Sequence, residues 1–139
     1  MRIFIQIASY RDPELVKTIK SIIENARNPK NLRFGICRQY HPEDGFDSLE
    51  EYKDDNRFRV IDVLYSESKG VCWARNLTQT LYEGEEYTMQ IDSHMRFEKD
   101  WDVEFIAMIK QLQKDGHAKP LLTGYVSSFD PDNDPGGRV

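Results

Sequence analysis

Tyr87-Thr88-Met89-Gln90-Ile91-Asp92-Ser93-His94-Met95-Arg96-Phe97 begins as a strand and ends in polar chemistry. Tyr87, Thr88 and Ile91 favour extended backbone. Asp92 and His94 are two residues apart, and on extended chain that spacing puts both side chains on one face. A carboxylate and an imidazole together at the end of a central strand form half of a divalent-metal site. The mixed oxygen and nitrogen pair suits manganese or a similar ion better than calcium or magnesium. An isolated Asp-x-His also has a plainer reading, a helix-capping Asp beside a packing His, and the surrounding chain has to decide between the two.

The 139 residues suffice for one domain with one core. A formal net charge of −5 argues against a general nucleic-acid or membrane-surface binder. The apolar runs are too short to span a bilayer. Met1-Arg2-Ile3-Phe4-Ile5 enters a strand directly, without the apolar segment and cleavage site of a signal peptide. Cys37 and Cys72 are widely spaced in apolar patterns and read as buried free thiols in a reducing compartment, so the expected location is cytoplasmic.

Along the chain, strands are expected at Ile3–Ser9, Leu32–Tyr40, Phe58–Tyr65, Glu86–Asp92 and Leu121–Phe129. Helices are expected from Pro13 to Asn28, capped by Asp12, over Val71–Tyr82, and over Lys99–Lys114 with Val103, Ile106, Ile109 and Leu112 facing in. A short surface helix is expected over Ser48–Asp55. This alternation predicts an α/β fold, a mostly parallel sheet with flanking helices in three α/β/α layers. Ligands of such sheets bind beyond the carboxyl ends of the strands. That rule lines up Ser9-Tyr10-Arg11, Gln39-Tyr40, Ser66 to Gly70 and Asp92-Ser93-His94 along one rim. Taken singly, each cluster is explained by solvation or a surface ion pair, but four on one rim favour a site.

The familiar phosphate loops are missing. Neither a Gly-x-Gly-x-x-Gly after the first strand nor a Gly-Lys-Ser/Thr loop is present. Instead, Tyr10 can stack on a base and Arg11 can pair with phosphate. Lys69 is a further phosphate candidate, and the helix opening at Gly70 carries Arg75 near its start, a phosphate clamp in outline. Asp130-Pro131-Asp132-Asn133-Asp134 opens like a calcium loop, but Pro135 stands where glycine is needed, so an acidic tail is the better reading.

Ser9-Tyr10-Arg11-Asp12, Lys69-Gly70-Val71-Cys72-Trp73-Ala74-Arg75-Asn76 and Gln90-Ile91-Asp92-Ser93-His94-Met95-Arg96-Phe97 resemble the donor half of a GT-A glycosyltransferase. More narrowly, the chain resembles the GlcNAc-transferase family that includes the enzyme modifying hydroxyproline on Skp1. Asp-Ser-His stands as a variant of that fold's Asp-x-Asp motif. The resemblance implies a UDP-sugar donor, UDP-GlcNAc in the first instance, a divalent cation such as Mn2+, and transfer to an acceptor hydroxyl on a protein or glycan. It implies that Asp92 and His94 ligate the metal and serve catalysis. Ser9, Tyr10, Arg11, Lys69, Gly70, Arg75, Asp92 and Ser93 would hold the donor. It also implies retention of configuration, with the departing phosphate taking the acceptor's proton.

GT-A enzymes continue past this motif into an acceptor-binding half. Residues 1–129 are therefore expected to form a donor-binding domain. Residues 130–139 are either an acidic Pro/Gly-rich tail or the start of a further half. Three functions compete: a metal-dependent UDP-sugar transferase, whole or partial; a non-catalytic nucleotide-sugar binding module or remnant acting with a partner; and an unrelated hydrolase or phosphotransferase using Asp92 and His94. An exposed sheet edge would favour a homo-oligomer.

Overall fold

Ile3–Tyr10 forms the first strand, β1, and Phe4, Ile5 and Ile7 on it are wholly buried in the computed structural model, which describes residues 1–133. A strand apolar on both faces needs cover on both, which is the signature of a parallel sheet. The elements that follow are α1 (Leu15–Asn25), β2 (Leu32–Tyr40), β3 (Phe58–Leu64), α2 (Val71–Gln79), β4 (Tyr87–Ile91) and α3 (Trp101–Lys114). The four strands form one sheet in the order β3-β2-β1-β4. Every pairing is parallel, with Ile3 level with Leu32 and Tyr87, and Phe34 level with Phe58.

The chain moves from β1 through α1 to β2, then out to β3. It returns through α2 to β4 on the other side of β1. Right-handed crossovers in opposite directions put α1 and α2 on opposite faces of the sheet. The crevice where the chain changes direction therefore lies between the carboxyl ends of β1 and β4. Helix α1 buries Leu15, Thr18, Ile19 and Ile22. On the other face α2 comes so close that a Cβ on Gly35 would lie 2.4 Å from Phe4 Cζ and 3.3 Å from the Thr78 carbonyl.

Met1–Trp101 pack as one compact unit, and Asp102–Val139 form a second. In the second, α3 leaves Val103, Ile106, Ile109 and Leu112 half-buried, the stripe that periodicity predicts.

Several expectations are corrected. Leu121–Phe129 is not a strand, and Leu121, Tyr125 and Val126 on it are 86%, 105% and 62% exposed. A strand exists only where a neighbour takes its backbone hydrogen bonds; the described sheet consists of β3, β2, β1 and β4 and does not include this stretch. For the same reason β4, expected to be central, is an edge strand of the described sheet. Ser48–Asp55 tightens to a single 3-10 turn at Glu50–Tyr52. The second helix stops at Gln79 rather than Tyr82. Cys37 is buried as expected, but Cys72 is exposed on the first turn of α2; both are free thiols. Of the acidic tail, Asp130 to Asn133 is held locally, with Asp130 accepting from the Asp132 and Asn133 backbone N–H groups. Residues 134–139 lie outside the described residues.

Gly35→Ala is expected to destabilise the protein by about 1–3 kcal/mol, because the methyl must displace the Phe4 ring beneath α2. Urea unfolding measures this; an unchanged midpoint would mean that the strand and α2 are not in close contact.

Candidate active site

Strand β4 stops at Ile91, so Asp92 and His94 stand on a bend rather than on extended chain. The bend still brings them together, with His94 Nε2 3.9 Å from Asp92 Oδ2. What shapes the bend is α1. The buried Thr18 hydroxyl donates to the Ser93 carbonyl at 2.9 Å and accepts the Met95 N–H at 2.9 Å. One turn on, Ser21 Oγ accepts the Phe97 N–H at 2.8 Å. Glu14 takes the Arg96 guanidinium. At the far end the Asp100 N–H donates to the Asn25 carbonyl, and the Trp101 indole N–H donates to the Ile22 carbonyl. The segment after β4 is thus laid along α1 one hydrogen bond after another.

Asp12 completes this arrangement. Its Oδ1 accepts the Glu14 N–H at 2.8 Å and closes the turn that leads into α1. The expected helix cap is corrected: α1 begins at Leu15, Glu14 takes the cap position, and no side chain caps it. Asp12 Oδ2 receives the Ser93 hydroxyl at 2.7 Å and lies 3.0 Å from His94 Nδ1. Sequence reasoning assigned Asp12 only the cap. Its acidic character directly beside the Ser-Tyr-Arg loop was the available signal.

Arg75, on α2, reaches across to Asp92, with its NH2 group 3.4 Å from Oδ1. Asp92 and His94 remain open to solvent, with side chains 57% and 61% exposed. A carboxylate, an imidazole with one nitrogen engaged from behind, and a nearby arginine therefore converge at the crevice between β1 and β4. Manganese or a similar ion fits this donor set: the pair supplies one oxygen and one nitrogen, close enough for one ion to touch both. No group of three or more His, Cys, Asp or Glu side chains suited to a metal occurs among the described residues, so this pair would be the chain's whole contribution there.

The other site candidates divide. Tyr10 is exposed at the end of β1, where a ring could meet a ligand. Arg11 adopts a left-handed backbone, φ 45°, which is rare for a side-chain-bearing residue and is held here by surrounding contacts. Its guanidinium is already gripped by Asp44, at 2.7 and 3.2 Å, and lies 5.5 Å from the Tyr65 ring centre. The hydrogen bond from Arg11 holds the Asp44 carboxyl below the usual carboxylate range. Asp44 and Tyr65 were not singled out by sequence, because their loops carry no pattern. Ser9 is buried, and its hydroxyl has no hydrogen-bond partner. Ser93 is buried too, its hydroxyl turned inward to Asp12.

Gln39 ties the rim together. It donates to the Ser9 carbonyl at 3.1 Å and accepts the Ser68 hydroxyl. Beyond it an open groove of about 580 Å³ is lined by Val63, Ser66, Glu67, Ser68, Lys69 and Trp73. Lys69 is exposed there. Gly70, at φ 100°, makes the turn into α2 that a side chain would strain.

The loop that supplies Asp44 is anchored by Asp47, which is fully buried and 3.5 Å from Arg38. Burial pushes the Asp47 carboxyl up from its ordinary value, even with Arg38 opposing. The folded protein therefore holds a proton there more readily than the unfolded chain. The penalty for the charged form is full above the folded pKa, shrinks as pH falls through it, and is gone below the unfolded value.

Two outcomes follow from these contacts. Asp47→Asn is expected to be more stable than the parent near about pH 7, with the gain fading toward about pH 4, in urea titrations at both values. A loss of stability at neutral pH would instead show that the Arg38 pair outweighs burial. Thr18→Val removes both bonds to the loop at constant shape and is expected to cost about 1–3 kcal/mol. A cost below about 0.5 kcal/mol would mean the loop is held elsewhere.

The comparisons with known proteins bear on family and fold. The family model described as Glycosyltransferase (GlcNAc) matches residues 2–56 and 46–136. No curated protein matches the chain by sequence. Among solved structures, S. aureus TarS is similar with a TM-score of 0.64 at 16% identity, over 81% of this chain and 20% of that one. TarS 1-349 in complex with UDP-GlcNAc gives a TM-score of 0.65 at 17% identity, over 80% of this chain and 32% of that one. Its complex with UDP gives 0.63 at 17% identity, again over 80% and 32%. At such identities the likeness speaks for the fold, and this chain spans between a fifth and a third of the TarS chains it matches. Matched by the family model along nearly its whole length, with a parallel sheet whose crevice gathers Asp92, His94 and Arg75, the chain belongs to the glycosyltransferase (GlcNAc) family.

Proposed function

We propose that this chain binds a UDP-sugar, UDP-GlcNAc in the first instance, and serves in passing the sugar to an acceptor hydroxyl on a protein or glycan. Family membership supports the reaction class. The TarS structures bound to UDP-GlcNAc and to UDP support the donor. The observation that carries the reading to particular residues is the convergence of Asp92, His94 and Arg75 where β1 and β4 part. The finer kinship with the enzyme modifying hydroxyproline on Skp1 rests on Asp92-Ser93-His94-Met95-Arg96-Phe97 in combination with the Ser9–Asp12 and Lys69–Asn76 stretches. A cytoplasmic setting is supported by two free thiols. No described helix is long and apolar enough to cross a membrane.

In this reading Asp92 and His94 would hold a divalent ion, Mn2+ or similar, which would supply positive charge to offset that of the leaving diphosphate. Arg75 is half-exposed and bonds Asp92 at only 3.4 Å, so it can turn to a phosphate without leaving a buried charge behind. Lys69 is exposed and, among the described residues, pairs with no carboxylate, so it can add a second positive charge. Gly70 opens α2 without a side-chain cap, which leaves first-turn N–H groups for a phosphate oxygen. Tyr10 offers its ring to the base. Arg11, fixed by Asp44, forms a rigid wall beside it and keeps its charge. Ser9 and Ser93 lie beneath this surface and shape its floor.

The chain spans a fifth to a third of the matched TarS chains, which favours a second reading, a donor-binding module that does not turn over by itself. UDP titrated calorimetrically is expected to bind with Mn2+ present and at least about tenfold more weakly with EDTA or in His94→Ala. Equal affinity in EDTA would remove the metal from the site, and no binding at all would sink the donor reading. Slow release of free GlcNAc from UDP-GlcNAc separates the transferase from the module, which would bind without releasing sugar.

A further inference from the structure

We propose that Asp12 is a positioning residue that fixes His94 as the tautomer protonated on Nδ1, so that Nε2 presents its lone pair toward Asp92. Asp12 Oδ2 is 3.0 Å from His94 Nδ1, and Nε2 points away from it, 3.9 Å from Asp92 Oδ2. An ionised carboxylate only accepts hydrogen bonds, so the ring nitrogen facing it must carry the proton. The proton of a neutral imidazole cannot then sit on Nε2 as well. Asp12 is itself held from three sides. Oδ1 is committed to the Glu14 N–H, Oδ2 also receives the Ser93 hydroxyl, and its side chain is only 16% exposed against 61% for His94.

The rigidity has a structural source. Asp12 stands in the turn that leads into α1, its carbonyl accepting the Leu15 N–H, and that helix grips the loop on both sides of His94 through Thr18. The carboxylate and the ring are therefore mounted on one frame, and their relative position does not depend on a flexible linker. A carboxylate behind a histidine in this manner fixes the ring and sets the direction of its free nitrogen. What the free nitrogen binds rests on the reading above; the tautomer itself does not.

Asp12→Asn tests the idea with almost no change of shape. The Asn oxygen can keep the Glu14 N–H, since Asn closes this two-residue turn as Asp does. Its NH2 group then faces His94 and donates, which makes Nδ1 the acceptor and moves the proton to Nε2. Long-range 15N–1H correlation spectra of the imidazole should show Nδ1–H in the parent and Nε2–H in Asp12→Asn. Ser93→Ala, which removes only the other donor to Oδ2, should keep Nδ1–H. Mn2+ affinity, measured without any sugar donor, should fall by about 10–100-fold in Asp12→Asn.

A parent protein protonated on Nε2, or an Asp12→Asn variant with unchanged tautomer, would overturn the proposal. If Asp12→Asn does not fold, the parent and Ser93→Ala spectra still decide it. A parent with Nδ1–H that binds no Mn2+ supports the orienting role and removes the metal reading of Asp92 and His94.

Discussion

The Thr18 hydroxyl donates to the Ser93 carbonyl and accepts from the Met95 N–H, and the shape of the crevice depends on that double bond. A polar side chain wholly buried on the inner face of α1 would be unfavourable without partners. Here it satisfies two backbone groups of a segment that has left the sheet and can no longer draw on strand pairing. Ser21 repeats the device one turn later, and Asp12, in the turn before the helix, holds the Ser93 hydroxyl of the same segment. Helix α1 is apolar toward the sheet and polar toward the loop, so one element packs the core and sets the angle between Asp92 and His94.

The parallel sheet supplies what the helix cannot, which is proximity. Strands β1 and β4 are neighbours because the chain steps outward twice, from β1 to β2 to β3, and then returns past both to β4. The loops leaving their carboxyl ends part there and open a gap for a ligand. One loop brings Asp12, the other brings Ser93 and His94, and α2 sends Arg75 over the same gap. On the other side of β1, Gln39 and the Arg11–Asp44 pair tie the ends of β1 and β2 to the loops beyond them. The left-handed backbone at Arg11 is tolerated because both its N–H and its guanidinium are held.

The electrostatics follow the same division. Charges near the crevice are exposed and within reach of one another, as with Arg75 and Asp92. Charges that hold the scaffold are buried or paired, as with Asp47 against Arg38 and Glu85 against Arg59. Exposed charges can change partners at little cost, whereas buried ones cannot. This is why Arg75 suits a ligand-facing role and Arg38 suits a structural one.

The chain's own pattern determined the parallel sheet, since Ile3-Phe4-Ile5 and Leu32 to Cys37 are apolar on both faces and each is followed by a break or a helix. It also determined that polar residues at the strand ends would share one rim, because all strands of a parallel sheet end on the same side. Asp92 and His94 are neighbours for a different reason than their spacing on extended chain, since a bend held by Thr18 of α1 brings them together. The pattern could not show Asp12 meeting His94 across 82 residues. That contact depends on which strand lies beside β1, and strand order is decided by the competition of whole elements for the sheet rather than by any local pattern. Leu121–Phe129 makes the same point from the other side. Its composition suits a strand, but a strand is completed by a partner's hydrogen bonds, and only the tertiary structure decides whether a partner is there.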